Sequence, residues 1–174
     1  MKFRFLLAPA VALGASAVAV ADQFQSLEQG IARIYPNEAL TPADFKLNSQ
    51  DYAKLKHEYQ VPSIRPQVKA WRAESGDWLF LDQVYGLNDV VTYLLGVDTQ
   101  GRISGLEVLT CEEGYCDSLY TDEWLGQMAK ATHGRWMPED VVPIVSGATL
   151  STTHVAEGVK KLLAIHARYL PDAD

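Results

Sequence analysis

Hydroxyl side chains crowd one helix entrance in this chain. In VSGATLSTTHVAEGVKKLL, residues 145–163, Ser146, Gly147, Ala148, Thr149, Ser151 and Thr152 come just ahead of a run that reads as a helix. One N-cap needs one hydroxyl, and these residues offer four. A helix N-terminus presents unpaired backbone N–H groups and a partial positive charge, and Gly147 lets a ligand come close to the backbone. Together these make an anion site with phosphate as its natural guest, and a threonine hydroxyl there is placed to accept a phosphoryl-linked group. Capping by Ser146, Ser151 or Thr152 is the plainer use of the same residues. A Walker loop is excluded because its G-x-x-x-x-G-K spacing and its lysine are missing. A dinucleotide fingerprint is excluded because Gly147 stands alone.

Cys111 and Cys116 are the second chemical feature, in TCEEGYCD. The four His show no ligand spacing with the pair, so a thiolate metal site is not suggested. The C-x-x-C spacing of dithiol oxidoreductases is absent, which leaves a local structural disulfide as the default in an oxidising compartment and a redox-active dithiol as the alternative.

The elements that must position these residues follow from periodicity. Phe24, Leu27, Ile31 and Ile34 have helical spacing up to Pro36, and Tyr52, Leu55 and Tyr59 predict a second helix from Ser49 that ends by Pro62. Four β-rich runs come next: Gln67–Glu74, Trp78–Tyr85, Val90–Asp98 and Ile103–Thr110. The turns between them are short, so neighbours are expected to be antiparallel. Thr121-Asp122-Glu123 opens a helix carrying Trp124, Leu125 and Met128, and a short apolar strand is expected at Val141–Val145. In the last helix Val155, Val159, Leu162, Leu163 and His166 form one stripe, with Glu157, Lys160, Lys161 and Arg168 mainly elsewhere. The fold class is α+β, an antiparallel meander sheet with packed helices.

Composition narrows the functional classes. The chain has 174 residues and a formal net charge of −7, with no cluster of Lys and Arg, so neither nucleic acid nor an anionic lipid surface is an expected partner. Lys2 and Arg4 precede an apolar run from Phe5 to Val20, and Ala19-Val20-Ala21 offers a signal-peptidase pattern with Asp22 as the new N-terminus. Residues 1–21 are therefore expected to be a cleaved signal peptide of an exported protein; the alternative is an uncleaved N-terminal anchor. Cleavage would leave 13 basic against 22 acidic residues.

Ser146-Gly147-Ala148-Thr149-Leu150-Ser151 resembles the S/T-G-A-T-x-S/T flavinylation motif of the FMN-binding domain family, found in the C subunit of sodium-translocating NADH:quinone reductase and the G subunit of the Rnf complex. The resemblance spans about residues 78–166, with weaker similarity upstream to Leu40. It implies an FMN-binding domain over 67–170, with 22–66 as a helical segment packed on it. By the same resemblance, Thr149 carries FMN through a phosphoester made by a flavin transferase, with Ser146, Gly147, Ala148, Leu150, Ser151, Thr152 and His154 around it. His154 would bond the phosphate or cap the turn. Glu112-Glu113-Gly114-Tyr115 stands where the family often has E-T-P-G-L-G, which places Glu113, Gly114 and Tyr115 near the flavin under a loop held by the Cys111–Cys116 disulfide. Tyr115, Trp124 and Trp136 are aromatic candidates for the ring, and each also reads as core. Pro143 stands where many members carry Asp.

The function implied is a periplasmic or otherwise extracytoplasmic electron carrier, taking electrons from a membrane oxidoreductase and passing them to a cytochrome or another acceptor. The alternatives are a non-redox or reversibly FMN-binding interaction module, and a self-contained flavoenzyme. The last is disfavoured because no acid–base pair or nucleophile constellation accompanies the motif.

Overall fold

Capping side chains start the first three helices in the computed structural model, which describes residues 26–59, 66–112, 116–128 and 149–170. The leader 1–21, Glu113, Gly114, Tyr115, Trp136, the strand expected at Val141–Val145, Pro143 and the motif residues Ser146, Gly147 and Ala148 lie outside the described residues. Helix α1 (Leu27–Ile34) begins with a capping box: Ser26 Oγ accepts from the Gln29 backbone N–H and Gln29 Oε1 accepts from the Ser26 N–H, both at 3.1 Å. For α2 (Ser49–Tyr59), Asn48 Oδ1 accepts from the N–H groups of Gln50 and Asp51 at 2.9 and 2.8 Å. Thr121 Oγ1 accepts from Trp124 N at 3.3 Å in α3 (Asp122–Met128). The fourth helix, α4, is the longest, Thr149–Tyr169.

The four expected strands are present as β3 (Gln67–Ala73), β4 (Trp78–Tyr85), β5 (Val90–Val97) and β6 (Ile103–Thr110), joined in antiparallel order β3-β4-β5-β6. Two short strands extend the sheet beyond β3: β1 (Leu40–Pro42) and β2 (Phe45–Lys46) both pair with β3. Strands of three and two residues are too short to show alternation, so sequence periodicity does not reveal them. Their pairing makes the segment between α1 and α2 part of the sheet as well as a connection. Pro42 sits in β1, an edge strand, where a missing N–H costs no ladder bond.

Alternation gives each sheet face its own apolar cluster. Phe80, Tyr93, Leu95 and Val108 pack with Val155, Val159, Leu162 and Ile165 of α4 in the larger one, and Leu79, Leu94 and Leu109 face α1 in the smaller. Paired Gly96 and Gly105 let α1 approach closely, since a Cβ on Gly105 would meet Ile34 at 2.9 Å. Among the described residues no helix is long and apolar enough to cross a membrane.

Candidate functional site at the start of the last helix

Three contacts fix where α4 begins. A buried polar cluster holds its middle: Lys161 Nζ lies 2.5 Å from Asp82 Oδ2 of β4, and the Tyr93 hydroxyl of β5 donates to the same oxygen at 2.8 Å. Lys161 is 5% exposed and Asp82 9%. This corrects the reading of Lys161 as lying off the buried stripe. The helix is packed on more than one side, and a lysine can be buried there because a carboxylate waits opposite it. Burial, then the Asp82 charge and hydrogen bond, hold the Tyr93 phenol well above its ordinary range.

One turn nearer the start of α4, Gly158 lies directly against the Tyr93 hydroxyl, and a Cβ there would also come within 3.0 Å of Val84. Glycine in mid-helix costs about 1 kcal/mol relative to alanine, and here it permits the close approach. Gly158→Val is expected to lower stability by about 2–3 kcal/mol through overpacking, read from a urea unfolding curve. A variant as stable as the parent would mean that the helix and sheet do not approach this closely. At the next turn, His154 Nδ1 donates to the Tyr85 carbonyl oxygen at the end of β4, 2.5 Å away. His154 thus ties α4 to the β4–β5 hairpin, and neither role expected for it is needed to explain its position.

The Tyr93 shift carries a pH dependence. Its phenol ionises near pH 10 in the unfolded chain and higher when folded, so its contribution to stability is complete below about pH 10 and lost as the pH rises further. Stability is expected to fall above pH 10 with about 1.4 kcal/mol per pH unit from this tyrosine. Urea midpoints between pH 9 and 11.5 test this: Tyr93→Phe should flatten the slope by one proton, and an unchanged slope would contradict it.

With the helix fixed, burial sorts the hydroxyls of its first turn. Thr149 and Leu150 are exposed, whereas Ser151 is 2% exposed and Thr152 fully buried. The Thr152 hydroxyl donates back to the Thr149 carbonyl oxygen at 3.0 Å. Among the described hydroxyl residues of the motif, Thr149 alone faces solvent. Thr153 is also exposed, a hydroxyl that the sequence reading leaves out. It lies a turn further on, where its N–H is paired within the helix.

The Cys111–Cys116 disulfide is formed, with the two Cα atoms 5.8 Å apart and both residues buried. It follows directly on Thr110, which pairs with Thr92 near the Val90 start of β5, so it lies at the same end of the sheet as the β4–β5 hairpin. A short 3-10 helix, Cys116–Tyr120, leads from it into α3. There Trp124 is 1% exposed in the larger core cluster, and its indole N–H has no hydrogen-bond partner among the described residues.

Fold and site together define an α+β domain whose last helix opens, with one exposed threonine, at the hairpin end of a meander sheet. Residues 86–164 match the family model of the FMN-binding domain, the family that the Ser146–Ser151 motif resembles. The match runs from the β4–β5 hairpin through β5, β6 and α3 into α4 and takes in the Thr149 turn. The match supports flavin binding, with FMN as the cofactor. No curated protein matches the chain. The residues fit the phosphate end of FMN: the exposed Thr149 hydroxyl stands on the first turn of a 21-residue helix, at its positive end.

Proposed function

We propose that the protein is an exported electron-transfer flavoprotein that carries FMN covalently, through a phosphoester to Thr149, and relays electrons between a membrane oxidoreductase and an extracytoplasmic acceptor such as a cytochrome. The observation that carries this reading is the exposure of Thr149 beside buried Ser151 and Thr152, within the matched domain. A flavin transferase must reach the acceptor hydroxyl, and only an exposed one can be presented to it.

Bound FMN supplies the ability to take up electrons in pairs and release them singly. The chain's own residues supply position. The first-turn N–H groups of α4 hold the phosphate charge, and the helix dipole favours it. Thr149 fixes the attachment point, while Thr152 tightens the turn beneath it through its bond to the Thr149 carbonyl. Gly158, His154 and the Lys161–Asp82–Tyr93 cluster keep that turn at the hairpin end of the sheet. A covalent tether suits a compartment where free FMN is scarce, because the cofactor cannot be lost by dissociation.

Fluorescence of the protein from its native host, after acid precipitation and denaturing electrophoresis, tests the reading. A covalent carrier keeps its flavin emission in the protein band. Flavin that stays in the acid supernatant would leave reversible binding in its place.

A further inference from the structure

The large hydrophobic side chains that remain exposed share one end of the molecule. Among the described residues they are Leu27, Tyr85, Leu87 and Leu150. Tyr85 closes β4, and Leu87 stands at 59% exposure in the hairpin that follows. Leu150 is on the first turn of α4, one turn before His154 meets the Tyr85 carbonyl. Leu27 reaches the same end from the other face. Helix α1 runs from Gly30, over Leu94 and Leu109, to Ile34, over Gly96 and Gly105, so its start points toward Thr92 and the hairpin. The apolar residues therefore approach the hairpin tip from both sides of the sheet, and the Thr149 turn lies among them.

Among the described residues, charge at this end has one sign. Segments 26–30, 83–92, 108–112 and 149–155 contain no Lys or Arg, while Glu28, Asp89 and Glu112 are exposed there. The basic side chains that can be placed lie elsewhere: Arg72 over Trp78, Arg102 with Asp98, Arg168 with Glu58. Apolar residues with an acidic rim fit a partner of the complementary kind.

We infer that this end is the docking surface for an electron-transfer protein whose contact face is apolar and ringed by lysines. The occupant follows from continuity and charge. The surface surrounds the proposed attachment residue, so a partner seated on it comes within transfer distance of the cofactor. Its acidic rim favours a basic protein and disfavours an anionic membrane. The link to electron transfer rests on the flavin reading above, but the surface can be tested apart from it.

Mitochondrial cytochrome c, a basic haem protein, is the probe. Its binding is measured by NMR titration of both the flavin-loaded protein and the flavin-free chain from cells lacking the transferase. In the loaded protein, once reduced with dithionite, each flavin passes two electrons to two ferric haems, one to each, and this rate is measured in parallel. Tyr85→Ser/Leu87→Ser is expected to weaken binding at least tenfold, and Glu28→Lys/Glu112→Lys to do the same while lowering the salt dependence. Ferricyanide, a small anionic oxidant, should react at unchanged rate with Tyr85→Ser/Leu87→Ser and no more slowly with Glu28→Lys/Glu112→Lys, and circular dichroism checks their folding.

Unchanged cytochrome binding in both folded variants would overturn the proposal. So would chemical shifts that map to the Arg72–Arg102 end, or tight binding of the protein to phosphatidylcholine vesicles through Leu87. Loss of cytochrome binding in the flavin-free chain's variants supports the surface even if no flavin is ever found on Thr149, which separates the two claims.

Discussion

Lys161→Ala is expected to lower the free energy of unfolding by about 3–5 kcal/mol, among the largest single-residue effects in this chain. Removing the ammonium leaves the Asp82 carboxylate 9% exposed beneath α4, with the Tyr93 hydroxyl as its remaining donor among the described residues. The loss is mainly the cost of an uncompensated buried charge, not the worth of the ion pair. That distinction has its own test. Replacing all three polar groups, as Asp82→Leu/Lys161→Met/Tyr93→Phe, should recover most of the stability, because an apolar trio has no desolvation cost to offset. Urea unfolding of the two variants measures both effects. A loss below about 1 kcal/mol for Lys161→Ala would mean that water reaches Asp82 and that the cluster does not lock the helix.

Thr149→Ala is expected to abolish covalent flavin altogether in a host with an active transferase. The controls give the experiment its force. Thr153→Ala removes the other exposed hydroxyl of this helix start and should leave attachment intact. Thr149→Ser keeps an acceptor oxygen and should retain some flavin. Thr152→Ala deletes the bond to the Thr149 carbonyl and should reduce the yield without eliminating it. In-gel fluorescence of the four variants reads this directly. Flavin retained in Thr149→Ala and lost in Thr153→Ala would move the attachment site one turn along the helix.

Much of this molecule is legible in the residues alone, for reasons that can be named. β4 begins and ends, and β6 begins, where β-branched and aromatic runs meet Gly, Asn and Asp turns, because short antiparallel connections leave those signals unblurred. α2 starts at Ser49 and carries Tyr52, Leu55 and Tyr59, as their helical spacing requires. The burial of Ser151 and Thr152 was also within reach. They precede Val155 and Val159 at helical intervals, so they share the stripe that packs on the sheet.

The misses have equally physical causes. Lys161 lies on α4, and a helical wheel sorts it with Lys160, because charge pattern does not show what stands across the core. The clue was in β4, where Asp82 occupies the inward phase of Phe80 and Val84 in WLFLDQVY, and a carboxylate in that phase needs a cation from elsewhere. β1 and β2 pair with β3 only through tertiary register, which no local pattern encodes. His154 also reaches the Tyr85 carbonyl far away in the chain, a contact that its closeness to Thr149 in sequence does not encode.

The most direct measurement is the intact mass of the protein purified from its native host under denaturing conditions, followed by mapping of the modified peptide. Covalent attachment requires a gain equal to FMN less one water, located on the peptide that contains Thr149 and absent from Thr149→Ala. An unmodified mass, from cells whose flavin transferase is active on other proteins, would contradict it and leave a flavin-binding fold that holds its cofactor reversibly.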